Sequence, residues 1–275
     1  MSSNVLFNGR VESGTWTTSR ALHYGDGIFR TTLVVDGQVV DLDRQIAKLA
    51  ADAERLDLKT SAARACRGEL QALAIGQRRG VAKIVLWRKA DGRGYRPTTT
   101  DAERLVMIDD LPSMPESAWT RGVIAQRSSV VLSEQRLLAG IKHLGRMEQV
   151  LAARELPRAT TEAIQCDRDG HPISGSRTNL FWVRGGRLYT PDLSACGVAG
   201  MMRQKVLELA EALGLRWQIA AQPWDAFAKS DEAFVTNSLI GIWPLRRCDQ
   251  TEWPAPGEIT RALMTALAHP LDSRR

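Results

Sequence analysis

One lysine stands among apolar residues in the stretch AGIKHLG. Lys142 lies between Ile141 and Leu144, with Gly140 and Gly145 on either side. An ammonium is costly to bury, and burial usually lowers its pKa. A lowered pKa is what an amine needs to condense with a carbonyl near neutral pH. The plainer reading is a surface lysine that lays its stem on apolar neighbours and keeps its charge in water. Directly after it, Met147, Val150, Leu151 and Arg154 fall at helical spacing, and Glu148 and Glu155 can face water.

Two other stretches have the residue types of an anion site. GVAGMMRQ, from Gly197 to Gln204, is a glycine-bounded turn that opens a helix. Such a turn presents unbonded backbone N–H groups at the positive end of the helix dipole, a natural seat for phosphate. FVTNSLIG, from Phe234 to Gly241, ends a strand in Thr236, Asn237 and Ser238, whose hydroxyls and amides could meet an anion. By themselves these signals are weak, because most such stretches are only a helix start and a polar strand end.

The elements that must position these groups belong to a chain of 275 residues with 44% hydrophobic and 25% charged content. That suits one large or two moderate globular domains. No apolar run is long enough for a transmembrane helix, and MSSNVLFNGR lacks the basic and apolar regions of a signal peptide, so a cytoplasmic protein is expected. Cys66, Cys166, Cys196 and Cys248 are scattered without a CxxC pair or a histidine at metal spacing, which predicts reduced thiols in the core and no metal site. The net charge of +6 is spread through arginines accompanied by acids. Nucleic-acid binding would want basic residues clustered with aromatics, so no nucleic-acid partner is expected. A small anionic substrate is compatible with the charge.

VVDGQVV predicts a hairpin from Val34 to Val40 around the Asp36-Gly37 type I′ signal. The helix after it has an apolar stripe of Ile46, Leu49, Ala53 and Leu56, with Asp41 or Asp43 able to cap it. A second helix runs from Ser61 to about Ile75. Val81 to Trp87 and Arg104 to Asp109 read as buried strands around a Gly- and Arg-rich loop. DDLPSMPES, with two prolines, is the linker signal. Beyond it, strands are expected at 123–127, EAIQCD, NLFWV, RLYT, RWQIA and EAFVTNS, with helices opening after Gly200 and near Glu258. Mixed strands and helices on both sides of the linker argue for two α+β domains: 1–110, a linker at 111–117, and 118–275.

LAGIKHLGRMEQVL resembles the Schiff-base lysine segment of the 4-amino-4-deoxychorismate lyases, within the class IV aminotransferase-like enzymes of pyridoxal-phosphate fold type IV. YGDGIFRTTLVVDG, GRGY, TNLFWV, GVAGMMRQ and TNSLIG are similar to further elements of that family, in the same order. The resemblance implies a D-amino acid aminotransferase-like fold, pyridoxal 5′-phosphate as cofactor and a homodimer. It makes Lys142 the Schiff-base lysine and later the proton acceptor. It gives the phosphate to the backbone amides of Val198 and Ala199 and to Ser238, with Asn237 at the same corner. Lys48 stands where the family has a phosphate-binding arginine, and lysine pairs with phosphate without the bidentate fork. Arg93 and Tyr95 resemble loop residues that meet substrate carboxylates.

Three departures stand out. Gly145 replaces a common asparagine. Arg30 replaces an acid or threonine and suits a substrate carboxylate or an interface acid. Ser174 occupies the place of the glutamate that pairs with the pyridine nitrogen. The implied reaction turns 4-amino-4-deoxychorismate into 4-aminobenzoate, a folate precursor, and pyruvate, by proton abstraction and β-elimination. The rival readings are a related aminotransferase of D- or branched-chain amino acids and a cofactor-binding protein without turnover.

Overall fold

The structure is a computed structural model that describes residues 5–10, 18–90 and 92–272. It divides into two compact units, Met1–Pro112 with Ile141–Gly145, and Ser113–Gly140 with Arg146–Arg275. The fold class is α+β, as expected. The chain enters the first unit again for only five residues, and Lys142 is one of them.

In the first unit the described elements are β1 (Val5–Phe7), α1 (Arg20–Tyr24), β2 (Gly27–Val35), β3 (Gln38–Val39), α2 (Leu42–Arg55), α3 (Thr60–Ala74), β4 (Arg79–Arg88) and β5 (Ala102–Asp109). The strands form an antiparallel sheet in the order β1-β5-β4-β2-β3. Asp36 and Gly37 both take positive φ, and Val34 faces Val39, so the Asp-Gly signal makes the expected hairpin. Ala82, Ile84 and Leu86 alternate onto the buried face of β4. Ile46, Leu49 and Ala53 of α2 and Ala63, Cys66 and Leu70 of α3 cover them, and Ile141 joins the same core. The α2 cap differs from expectation. Asp41 occupies the N-cap with left-handed backbone and makes no side-chain cap bond, and Asp43 sits in the first turn and pairs with Arg67.

In the second unit the described elements are α4 (Ser117–Thr120), β6 (Val123–Arg127), α5 (Met147–Arg154), β7 (Glu162–Cys166), β8 (Pro172–Gly175), β9 (Asn179–Arg184), β10 (Arg187–Thr190), α6 (Met201–Ala212), β11 (Trp217–Ile219), α7 (Trp224–Ala228), β12 (Glu232–Asn237), β13 (Gly241–Cys248), β14 (Thr251–Glu252) and α8 (Glu258–Leu267). The main path of the sheet is β11-β10-β9-β12-β13-β6-β7-β8. A further pairing, Ser174 with Asn179, joins β8 to β9 and closes six of these strands into a ring. Five consecutive residues of β12 are buried, the pattern of a strand covered on both faces. Phe181 and Phe234 stack at 5.0 Å in that core, and Met202, Val206 and Leu263 cover it from α6 and α8.

β8 and β13 have no counterpart in the sequence reading. Both contain proline, Pro172 and Pro244, which argues against a central strand. β13 accommodates Pro244 opposite Phe234 and shifts register between Leu245 and Arg247. The helix after Lys142 forms as α5, but Met147, Val150 and Leu151 are 66%, 49% and 41% exposed. Its acids do not simply face water: Glu148 accepts from the Ser133 N–H, and Glu155 accepts from the Ser128 hydroxyl and the Ser129 N–H. Among the described residues, no helix is long and apolar enough to cross a membrane.

Candidate active site

The Lys142 segment is extended and lies along β2. The Phe29 N–H donates to the Lys142 carbonyl at 3.0 Å, and the Leu144 N–H donates to the Gly27 carbonyl at 2.9 Å. These bonds bracket a bridge between Ile28 and His143. Extended backbone sends neighbouring side chains to opposite faces. Ile141 therefore enters the core, while the half-buried Lys142 reaches the Phe29 ring, with Nζ 4.5 Å from its centroid. Gly27 permits this approach, since a Cβ there would meet the Leu86 carbonyl oxygen at 2.5 Å and Leu144 Cδ1 at 2.9 Å.

Arg30 and Lys48 converge on one acid. Arg30 bonds one carboxylate oxygen of Asp52, and Lys48 bonds the other from one helical turn away. Asp52 is fully buried and Arg30 is 3% exposed. Burial lowers the pKa of both cations, and Asp52 opposes the shift in each case. The Arg30 Nε is buried without a partner among the described residues. Arg30 thus has an acid of its own chain as partner. Asp52 was not singled out in the sequence, where it reads as one more helix acid. Only its spacing of four from Lys48 hints at the pair.

Arg93 and Tyr95 lie on an exposed loop, with Tyr95 86% exposed. The backbone of that loop is held by two residues that sequence reasoning missed. Arg20 donates to the carbonyls of Gly94 and Tyr95, and the Tyr24 hydroxyl accepts from the Gly94 N–H.

The turn before α6 is tied to the chain just ahead of Lys142. The Gly140 N–H donates to the Gly197 carbonyl at 2.9 Å, and the Ala199 N–H donates to the Gly140 carbonyl at 3.0 Å. This differs from the expected phosphate pair, because the Ala199 amide already has a partner. The Val198 N–H makes no backbone bond among those of the described residues. Asn179 braces the turn, donating to the Val198 carbonyl and accepting from the Gly200 N–H. A Cβ on Gly200 would lie 2.3 Å from the Asn179 Oδ1, so this contact needs glycine. Gly200 supplies no side-chain cap, and α6 opens with its first amides uncapped by that residue. At the other corner, Asn237 accepts from the Leu239 and Ile240 N–H groups and donates to the Arg177 carbonyl, which shapes the loop. Ser238 follows it, half-buried.

Ser174 is 6% exposed near the end of β8, opposite Gln165 on β7 and Asn179 on β9. It is a strand residue. The loop after it is organised by a buried carboxylate that the sequence did not flag. Glu162 accepts from the Ser176 N–H and the hydroxyls of Ser176 and Thr178. It also accepts from the Ala163 N–H on β7.

These groups fit an aldehyde that bears a phosphate. Lys142 offers a primary amine. Lys48 of the same unit offers a cation; in the second unit, taken by itself, the turn before α6 offers the Val198 amide and the helix dipole, and Ser238 a hydroxyl. Ser174 offers a neutral hydroxyl and no charge.

A family model described as amino-transferase class IV matches residues 27–248. An aminodeoxychorismate lyase of Vibrio harveyi is 31% identical over 264 residues, covering 93% of this chain and 96% of that protein. A D-alanine aminotransferase of Bacillus licheniformis is 28% identical over 279 residues, covering 96% and 95%. The crystal structure of 4-amino-4-deoxychorismate lyase from Pseudomonas aeruginosa matches with a TM-score of 0.91 and 38% identity, over 98% of this chain and 99% of that one. The branched-chain amino acid aminotransferase of Escherichia coli, at 20% identity and a TM-score of 0.84, shares the fold. This chain therefore belongs to the amino-transferase class IV family, with the fold type IV architecture and pyridoxal 5′-phosphate as its cofactor.

Proposed function

We propose that the chain is a lyase that converts 4-amino-4-deoxychorismate to 4-aminobenzoate and pyruvate. The observation that carries this reading is the near full-length likeness to two aminodeoxychorismate lyases, at 31% and 38% identity.

Lys142 holds the cofactor through its amine. As a free amine, Lys142 would take the proton from the substrate carbon that bears the amino group. When bound, the cofactor supplies an electron sink for that carbon. The adjacent C–O bond to the enolpyruvyl group breaks, the ring becomes aromatic, and the leaving group takes up a proton to become pyruvate. Aromatisation drives the elimination, so the protein's main tasks are proton removal and orientation.

Lys48, set by Asp52, would pair with the phosphate, and in the second unit the Val198–Ala199 turn and Ser238 would offer it donors. Asn237 shapes the corner. Arg93 and Tyr95 meet the substrate carboxylates, a task that suits the paired donors of arginine. Arg30 acts through Asp52 on Lys48. Ser174 would serve the pyridine nitrogen as a neutral partner. A second copy of the chain covering Met147, Val150 and Leu151 would account for their exposure, which supports a homodimer. A cytoplasmic location accords with the four free, buried cysteines.

The test is incubation of the purified protein with aminodeoxychorismate, following pyruvate and 4-aminobenzoate. Equal yields of both are expected. No release, with amino transfer from D-alanine to a 2-oxo acid instead, would support the second reading, which the likeness to D-alanine aminotransferase favours. Failure of both reactions would leave a cofactor-binding protein without turnover.

A further inference from the structure

The described residues of the loop that carries Arg93 and Tyr95, 92–100, belong to no strand or helix. The loop is fastened through Arg20, which is 5% exposed on α1. Arg20 Nε donates to Asp26 Oδ2 at 2.8 Å, Nη1 to the Gly94 carbonyl at 2.9 Å, and Nη2 to the Tyr95 carbonyl at 3.2 Å. Its guanidinium carbon sits 4.8 Å from the centre of the Tyr24 ring. Tyr24 in turn accepts from the Gly94 N–H at 3.0 Å and packs its ring 5.3 Å from that of Tyr95. Both peptide groups flanking Gly94 are thereby gripped.

The anchor beneath is rigid. Asp26 Oδ2 also accepts from Arg88 Nε at 3.1 Å. Arg88 spends its other donors on the carbonyls of Leu56, Asp57 and Thr99. Asp26 thus couples the start of β2 to the end of β4, to the α2–α3 turn and to the far end of the loop. The arrangement needs arginine at position 20. Its planar fork reaches a carboxylate and two carbonyls in fixed directions, which a lysine ammonium on a flexible stem cannot do.

We propose that Arg20 is a positioning residue for substrate, which sets the direction in which Arg93 and Tyr95 are presented by clamping the loop backbone at Gly94 and Tyr95. The inference rests on the reading of this loop as the substrate-carboxylate contact. Without the clamp, the loop must be ordered at the moment of binding, and that cost falls on substrate affinity. The chemistry at Lys142 is untouched.

The experiment uses the cofactor-loaded full chain with two variants, Arg20→Lys and Tyr24→Phe. Arg20→Lys keeps the charge beside Asp26 but loses the fork. Tyr24→Phe removes only the acceptor for the Gly94 N–H from a partly exposed ring, so it tests the clamp even if Arg20→Lys folds poorly. Limited digestion with trypsin, mapped by mass spectrometry, reads cleavage at the Arg93–Gly94 bond whether or not the protein turns over substrate. Steady-state kinetics with aminodeoxychorismate read KM and kcat. In Arg20→Lys, cleavage at Arg93 should rise about tenfold and KM on the order of tenfold, with kcat within about twofold and the cofactor absorbance unchanged. Tyr24→Phe should shift both in the same direction by less. Unchanged cleavage at Arg93 in both variants would overturn the clamp. Faster cleavage with unchanged KM would overturn the positioning role. If wild type releases no pyruvate, the proposed reaction fails, and the digestion still decides the clamp.

Discussion

Lys142 Nζ lies over the ring of Phe29, 4.5 Å from its centroid, while the Phe29 N–H donates to the Lys142 carbonyl. One residue of β2 therefore holds both the backbone and the side chain of the lysine. A second lysine, Lys83, has its Nζ 5.7 Å from the same ring. Borohydride reduction of the cofactor-loaded protein should label Lys142 alone, and a label on Lys83 would sink the assignment. Lys142→Ala should abolish both label and turnover. A cation–π contact at a partly exposed site is worth about 0.5–1 kcal/mol. Phe29→Leu should accordingly lower kcat/KM by only about two- to fivefold with little change in melting temperature.

What could be read from the sequence followed from local rules. Asp36-Gly37 fixed a hairpin because a type I′ turn needs two residues at positive φ, and both have it. Lys142 stood out because an ammonium amid apolar residues is expensive. Long-range pairing was not legible. Arg20 and Gly94 are 74 residues apart, and nothing in the spacing of either announces the bond. Asp52 looks like any helix acid until Arg30, on a strand 22 residues earlier, meets it. β13 was not read from the sequence, and its Pro244 is a residue that argues against a central strand. The exposed face of α5 was misread for another reason. Helical periodicity tells which residues share a face and not what that face meets.

Arg93 is exposed and lies on a loop held by its backbone, so its side chain carries little of the packing. Arg93→Ala should raise KM for aminodeoxychorismate by about ten- to a hundredfold, the loss of a charge-assisted pair. Cofactor absorbance and melting temperature should stay close to wild type. An equal fall in melting temperature and cofactor content would make Arg93 structural instead.

Lys48 gives a pH dependence whose sign follows from burial. Its pKa lies below the ordinary lysine range, chiefly by desolvation, with Asp52 opposing. Between that lowered pKa and the unfolded value of about 10.4, the unfolded chain binds more protons than the folded one, so folding stability rises with pH in that window. Lys48→Gln should flatten the rise in the cofactor-free protein, with Asp52 still paired to Arg30. Phosphate affinity runs the other way. Retention of the cofactor should fall as pH climbs into the alkaline range, and Lys48→Arg should hold it to higher pH because guanidinium stays charged. Dialysis at a series of pH values, read by cofactor absorbance, checks this. Identical retention curves for wild type and Lys48→Arg would remove Lys48 from the phosphate site.

The four cysteines give a test of the core. All are free and buried, and burial pushes the thiols of Cys66 and Cys196 up to about 12. Cys166 and Cys248 are raised for the same reason. Thiolate is the reactive form, so a disulfide reagent at neutral pH should label the native protein slowly. All four should react once the chain is unfolded in denaturant. Rapid labelling of Cys66 in the native protein would mean that α3 opens without global unfolding.

Ser174 carries the sharpest chemical consequence. It sits on β8 between Gln165 and Asn179, in a strand that closes the ring. A carboxylate beside a pyridine nitrogen would hold a proton there by charge pairing and raise the nitrogen's pKa. A serine hydroxyl can donate or accept but supplies no charge. Nor does Glu162 replace it, since its oxygens serve Ser176 and Thr178. If Ser174 is the ring nitrogen's partner, as proposed, the cofactor would supply a weaker electron sink. That would favour elimination over amino transfer. Ser174→Glu should therefore increase amino transfer from D-alanine relative to pyruvate release from aminodeoxychorismate, by about tenfold if the charge pair shifts the nitrogen by about one pKa unit. The two rates are measured separately on the same preparation. An unchanged ratio, or a wild type that transfers amino groups as fast as it eliminates, would show that Ser174 does not set the outcome.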